Sequence, residues 1–148
     1  MAEEDDRHYL FSYLEGRFGI SEDLFDDYLL FSRKRSWWLL KESPHIIRAS
    51  QFKVWRVGLR SFQRIGSFIK PSTRMIQAFG HLASKAIIDI NGADLNKLIA
   101  GEFLPVKMEL ENGYVILSLR GVIPGLGLLI DGTVRTQIPK KEVRLSMI

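Results

Sequence analysis

A chain of 148 residues is long enough for one compact domain or two small ones sharing an interface, and its 46% hydrophobic content supports a packed core and excludes wholesale disorder. No apolar run approaches the roughly 20 residues of a membrane-crossing helix, so no membrane partner is expected, and the absence of cysteine removes disulfides, cysteine-ligated zinc and thiol catalysis and fits a cytoplasmic setting. The formal net charge of +4 hides an asymmetry: residues 1–30 carry −7, residues 31–80 carry +10 and residues 81–148 carry +1, so the middle of the chain projects a concentrated positive field of the kind that attracts polyanions.

The acidic opening does not read as a secretory signal. It reads as a helix capped by Asp5 or Asp6, with Leu10, Tyr13, Leu14 and Phe18 at helical spacing and with Gly16 and Gly19 interrupting it. Ser21 followed by Glu22, Asp23 and Leu24 predicts a second, short helix, its acids placed at the positive end of the dipole. Two apolar runs, Tyr28 to Phe31 and Trp37 to Leu40, flank the cluster Ser32-Arg33-Lys34-Arg35-Ser36, which predicts a β-hairpin with a basic tip. Adjacent tryptophans in a strand face opposite sides, so one of Trp37 and Trp38 is expected in the core and the other at the surface. Lys53 to Arg60 is expected as a strand with Arg56 and Arg60 on one face.

Ser67 to Ile69 predicts a short strand ending at Pro71, and Ser72 or Thr73 then caps a helix through Met75, Ile76, Phe79 and Leu82. Lys85 to Ile90 is β-like, and Asn91 opens a helix closed by Gly101. Beyond it the chain alternates strands and turns. Val106 to Leu110 is expected as a strand, Asn112-Gly113 as a hairpin turn, and Val115 to Arg120 as the next strand. Gly121 to Gly127 reads as a tight loop into Leu128 to Ile130, and Asp131-Gly132 as a turn into Thr133 to Ile138.

Residues 85–144 resemble a PUA-like RNA-binding domain. The resemblance rests on Lys85 to Ile90 and the helix from Gly92 to Gly101. It continues through Asn112-Gly-Tyr-Val-Ile-Leu-Ser-Leu-Arg-Gly121, Pro124-Gly-Leu-Gly127 and Gly132-Thr-Val-Arg-Thr-Gln-Ile-Pro-Lys140. The segment is similar to the PUA-like tail of Sun-type ribosomal RNA cytosine-5 methyltransferases. Val57-Gly-Leu-Arg60, Arg64-Ile-Gly66, Lys70-Pro-Ser-Thr73 and Phe79-Gly80 resemble the connector before that tail. The two-part layout also looks like Nip-type ribosome-biogenesis adaptors. The fold expected on this basis is α+β, an N-terminal α/β pre-PUA-like half (residues 1–82) packed on a C-terminal PUA-like β-barrel (residues 83–148). Where the methyltransferase tails have Lys-Asn, this chain has Arg135-Thr136, which keeps the charge and removes an amide suited to reading bases.

The resemblance implies a non-catalytic protein that binds ribosomal or transfer RNA in RNA modification or ribosome biogenesis. Its phosphate contacts would be Arg135, Lys140, Lys141 and Arg144, and the clustered Arg56, Arg60 and Arg64 would extend the basic surface. Possible protein partners on this reading are an RNA methyltransferase or a ribosome-assembly factor. Enzyme signatures are lacking: His8, His45 and His81 have no metal-ligand spacing, no nucleophile elbow occurs, and no lysine with serine or threonine follows the last glycine of residues 121–127. No catalytic residue, metal or cofactor is therefore expected. The alternatives are a protein-interaction adaptor docking through the acidic N-terminal helix, or a trans-acting RNA-binding subunit of an RNA methyltransferase.

Overall fold

The computed structural model describes residues 2–42, 58–107 and 109–138. They form an α+β protein with three α-helices and two sheets, divided between Met75 and Ile76 into two compact units.

The first unit begins with helix α1 (Glu4–Phe18). Its N-cap is Glu3, ahead of the expected Asp5 or Asp6, so both aspartates lie in the first turn, where their charge favours the dipole. The helix runs through Gly16 and ends at Gly19, whose φ of 69° lets its N–H return to the Glu15 carbonyl at 3.0 Å. A single 3-10 turn (Glu22–Phe25) stands where the second helix was expected. A four-stranded antiparallel meander follows, ordered β1 (Tyr28–Arg33), β2 (Ser36–Lys41), β3 (Leu59–Ile65) and β4 (Phe68–Pro71). The hairpin with the basic tip is present, with Arg33 paired to Ser36 across Lys34 and Arg35.

Helix α1 buries Leu10, Phe11, Leu14 and Phe18 against one face of this sheet. Phe11 stacks on Phe25 at 4.4 Å and meets Phe62 of β3 edge-on at 6.3 Å. Arg7 fixes the start of the helix, donating to the carbonyls of Tyr28 (2.8 Å) and Phe25 (2.5 Å) while lying over the Phe11 ring. Trp37 is buried and Trp38 half-buried, as alternation requires. A bulge breaks the β2–β3 register: Trp37 faces Phe62 and Trp38 faces Arg60, leaving Ser61 as the extra residue. The buried Ser61 hydroxyl donates to the Trp37 carbonyl at 3.1 Å, so the bulge leaves no stranded hydroxyl. Residues 53–57 of the expected Lys53 to Arg60 strand lie outside the described residues.

Helix α2 (Thr73–Phe79) spans the unit boundary. Ser72 caps it, its hydroxyl accepting from the Met75 N–H at 3.0 Å and donating to the Arg60 carbonyl. A 3-10 turn (Gly80–Leu82) extends it.

The second unit is a five-stranded, curled half-barrel. It contains β5 (Ile87–Asp89), helix α3 (Gly92–Ile99), β6 (Leu104–Pro105), β7 (Gly113–Leu119), β8 (Val122–Ile130) and β9 (Thr133–Thr136). The strand order is β5-β7-β8-β9-β6, with β5 parallel to β7 and the other pairs antiparallel. Helix α3 starts on a capping box: the Asn91 side chain accepts from the Asp94 N–H at 2.7 Å, and the Asp94 carboxylate accepts from the Asn91 N–H at 3.2 Å.

Three expectations for this unit are corrected. The strand after α3 is Leu104–Pro105, earlier and shorter than Val106 to Leu110. Asn112-Gly113 is not a hairpin turn. Gly113 is the first residue of β7, and Asn112 uses its side chain to hold the next turn, accepting from the Asp131 N–H at 2.9 Å. Residues 122–127 are strand, not loop, and the tight turn is Arg120-Gly121, with φ of 51° and 82°.

Gly127 within β8 answers to packing. Gly127 is buried, and a Cβ built there would stand 2.6 Å from Val134 Cγ1, 3.2 Å from Leu117 Cδ2 and 3.3 Å from Val115 Cγ2. Gly127→Ala is expected to destabilise the protein by about 1–3 kcal/mol through overpacking, read as a lower midpoint in a denaturant titration with an unchanged slope.

Candidate nucleic-acid interface

Of the basic residues expected to contact RNA, Arg135, Arg60 and Arg64 are described, whereas Arg56, Lys140, Lys141 and Arg144 lie outside the described residues. Arg135 is exposed on β9, and its guanidinium carbon lies 4.9 Å from the centre of the Phe103 ring. Phe103 is 58% exposed and sits immediately before β6, the strand paired with β9. An arginine plane over an accessible aromatic ring is a cation–π pair, and both flat surfaces can also receive a nucleobase. Phe103 was missed in the sequence because the strand there was expected two residues later. Its only signal was an aromatic directly after the charged Glu102.

Arg60 and Arg64 sit on opposite faces of the first sheet. In an unbroken strand residues 60 and 64 would point the same way, but the Ser61 bulge reverses the alternation. Arg64 lies on the helix-covered side, exposed, with its guanidinium 5.6 Å from the buried Trp37 ring. Arg60 faces the other side, where its guanidinium donates to the Ser36 hydroxyl at 3.1 Å.

The pairing register gives that other face its pattern. Phe31, Trp38 and Arg60 form one row across β1, β2 and β3. Arg33, Ser36, Gln63 and Lys70 form the next, and Ile65 and Phe68 close the β3–β4 end. Trp38 and Phe31 are half-buried, Phe68 is 72% exposed and Ile65 45% exposed. No aspartate or glutamate occurs on this face among the described strand residues. Partial burial strips water from the Lys70 ammonium and lowers its pKa from the usual lysine value.

A cleft of about 370 Å³ lies between the start of α1 and β1, lined in part by Glu4, Arg7, Asp26 and Glu42. Arg7 in this lining is committed to the carbonyls of Tyr28 and Phe25 that hold the fold. Among the described residues no group of three or more His, Asp or Glu side chains is placed to hold a metal ion, and no helix is long and apolar enough to cross a membrane.

No protein-family model matches the chain, and no curated protein matches it at a significant level.

Proposed function

We propose that this protein is a non-catalytic, PUA-like RNA-binding protein that engages ribosomal or transfer RNA during RNA modification or ribosome assembly in the cytoplasm. The observation that carries this reading is Arg135 lying over the exposed Phe103 at the β9–β6 edge of the curled sheet. Arginine binds a phosphate through its edge and a base through its face, so this pair offers both contacts at one point. The order of turns and strands from residue 113 to 136 supports the PUA-like reading, and the +10 balance of residues 31–80 supports a polyanionic partner. On this reading the five strands belong to a PUA-like barrel and the RNA lies along its β9–β6 edge.

The purified chain is expected to retain structured cellular RNA on a filter at low salt and to release it steeply as salt is added. A chain that retains none at low salt would end this reading. The competing role of protein adaptor predicts the opposite pattern, a partner complex that survives nuclease treatment.

A further inference from the structure

We propose that the end of the first sheet where its two hairpin turns lie side by side is a second RNA contact, seating the backbone of a stem on Lys34, Arg35 and Arg60 and one unpaired base of that stem on Phe68. The proposal rests on the RNA-binding reading and gives it a substrate class, a paired stem interrupted by an unpaired nucleotide.

The pairing register builds this end. Arg33 pairs with Ser36, so Lys34 and Arg35 form the turn between β1 and β2. Ile65 pairs with Phe68, so Gly66 and Ser67 form the turn between β3 and β4. The Arg64 N–H donates to the Arg35 carbonyl at 2.7 Å, which sets the first turn against β3 one residue short of Ile65. The β3–β4 hairpin therefore overhangs the Lys34-Arg35 turn. Lys34, Arg35 and residues 64–68 are all exposed. Ile65 and Phe68, directly opposite each other, share the face turned away from α1 and form one apolar spot. Phe68 at 72% exposure is the most exposed large apolar side chain among the described residues. Arg64 pairs with Ile69, so Phe68 stands two strands across from Arg35 and one residue along, roughly 10 Å at normal strand spacing.

Charge names the occupant. Arg60 lies on the same face as Phe68, and its guanidinium reaches the Ser36 hydroxyl directly after the first turn, at 3.1 Å. A guanidinium carries five N–H donors, so that bond leaves others for a phosphate. The carboxylates nearest the sheet gather at its other end: Glu4, Asp26 and Glu42 line the cleft at the start of β1, and the Glu42 N–H donates to the Asp27 carbonyl. The length of β1 puts them roughly 20 Å from the turns, about two screening lengths at physiological salt. The turn end thus keeps its positive potential and draws a polyanion to itself and not to the far end. Cations alone would take any stem. The apolar spot selects among stems, because the rings of paired bases are stacked on one another and only an unpaired base offers its face to a phenyl ring.

The test compares a short RNA duplex with the same duplex carrying one bulged adenosine, as ligands of the full chain, by fluorescence anisotropy at low salt. The bulged duplex is expected to bind about fivefold or more tightly, the effect of one stacked base. Phe68→Ala is expected to erase that preference and to keep its circular dichroism spectrum, because a largely exposed ring contributes little to folding. The double variant Lys34→Ala with Arg35→Ala is expected to weaken both ligands and to lower the slope of log K against log salt by roughly 2. If the unmodified chain binds the two duplexes equally, if Phe68→Ala keeps the preference, or if the double variant keeps the slope, this contact is overturned and the RNA-binding reading stands. If the chain binds neither duplex, both fall. A sedimentation shift with concentration that Phe68→Ala abolishes would identify the occupant as a second copy of the chain and also overturn the contact.

Discussion

Phe11→Ala is expected to cost about 3–5 kcal/mol of stability, the usual loss for truncating a fully buried phenylalanine. The residue has 0% exposure and joins three parts of the first unit: its own helix, the 3-10 turn through Phe25, and β3 through Phe62. Small domains hold only about 5–15 kcal/mol in all, so this one truncation would remove a large share of what holds α1 to the sheet. Guanidinium titration followed by far-UV circular dichroism should show the midpoint fall. The neighbouring Arg7 bonds to the Phe25 and Tyr28 carbonyls cannot substitute, since they fix the start of the helix and not its packed middle. A loss below about 1 kcal/mol would contradict the packing of α1 on the sheet, because a collapsed aromatic cluster could not relax so cheaply.

The pattern that makes the hairpin legible from sequence explains where legibility stopped. Tyr28 to Phe31 and Trp37 to Leu40 announce two strands because each is a short continuous apolar run and the two flank a polar, basic tip, and α1 and α3 announce themselves by helical spacing and by Asn91 as a cap. The bulge at Ser61 has no such signature, so the separation of Arg60 from Arg64 onto opposite faces became visible only through pairing. In β8 the cues pointed the wrong way. Gly125, Gly127 and Pro124 are turn residues by composition, yet β8 is a central strand with β7 on one side and β9 on the other. Gly127 is small because Val134 and Leu117 crowd it. Pro124 falls where the β7–β8 register shifts between Leu117 and Leu119, a position that asks no N–H of it, while its carbonyl accepts from the Gln77 amide at 3.1 Å. Such tertiary causes leave no periodic trace. Similarly, Asn112-Gly113 carries a hairpin signal, but Asn112 spends its side chain on the Asp131 turn. As for the site, Arg135 was legible as a cation near the last strand, whereas its aromatic partner Phe103 required knowing that β6 lies beside β9.

Joint replacement of Arg135, Lys140 and Lys141 by Ala is expected to flatten the salt dependence of RNA binding. Each cation that neutralises a phosphate releases condensed counterion, so losing three contacts should lower the slope of log K against log salt by roughly 2–3. The loss should fall by similar factors on unrelated RNAs, because phosphate contacts position a strand without reading its bases. Arg135→Lys separates charge from stacking at the one of these positions the structure describes. Lysine preserves the charge but gives up the planar fork and its fit over Phe103. The single variant should therefore keep the salt slope while losing affinity, and the triple variant should lose both. Salt titrations of the unmodified, single and triple forms on one structured RNA decide the matter. A triple variant with the slope of the unmodified protein would place the phosphate contacts elsewhere, and the arginines and lysines of residues 31–80, which carry a balance of +10, would then be the next to substitute.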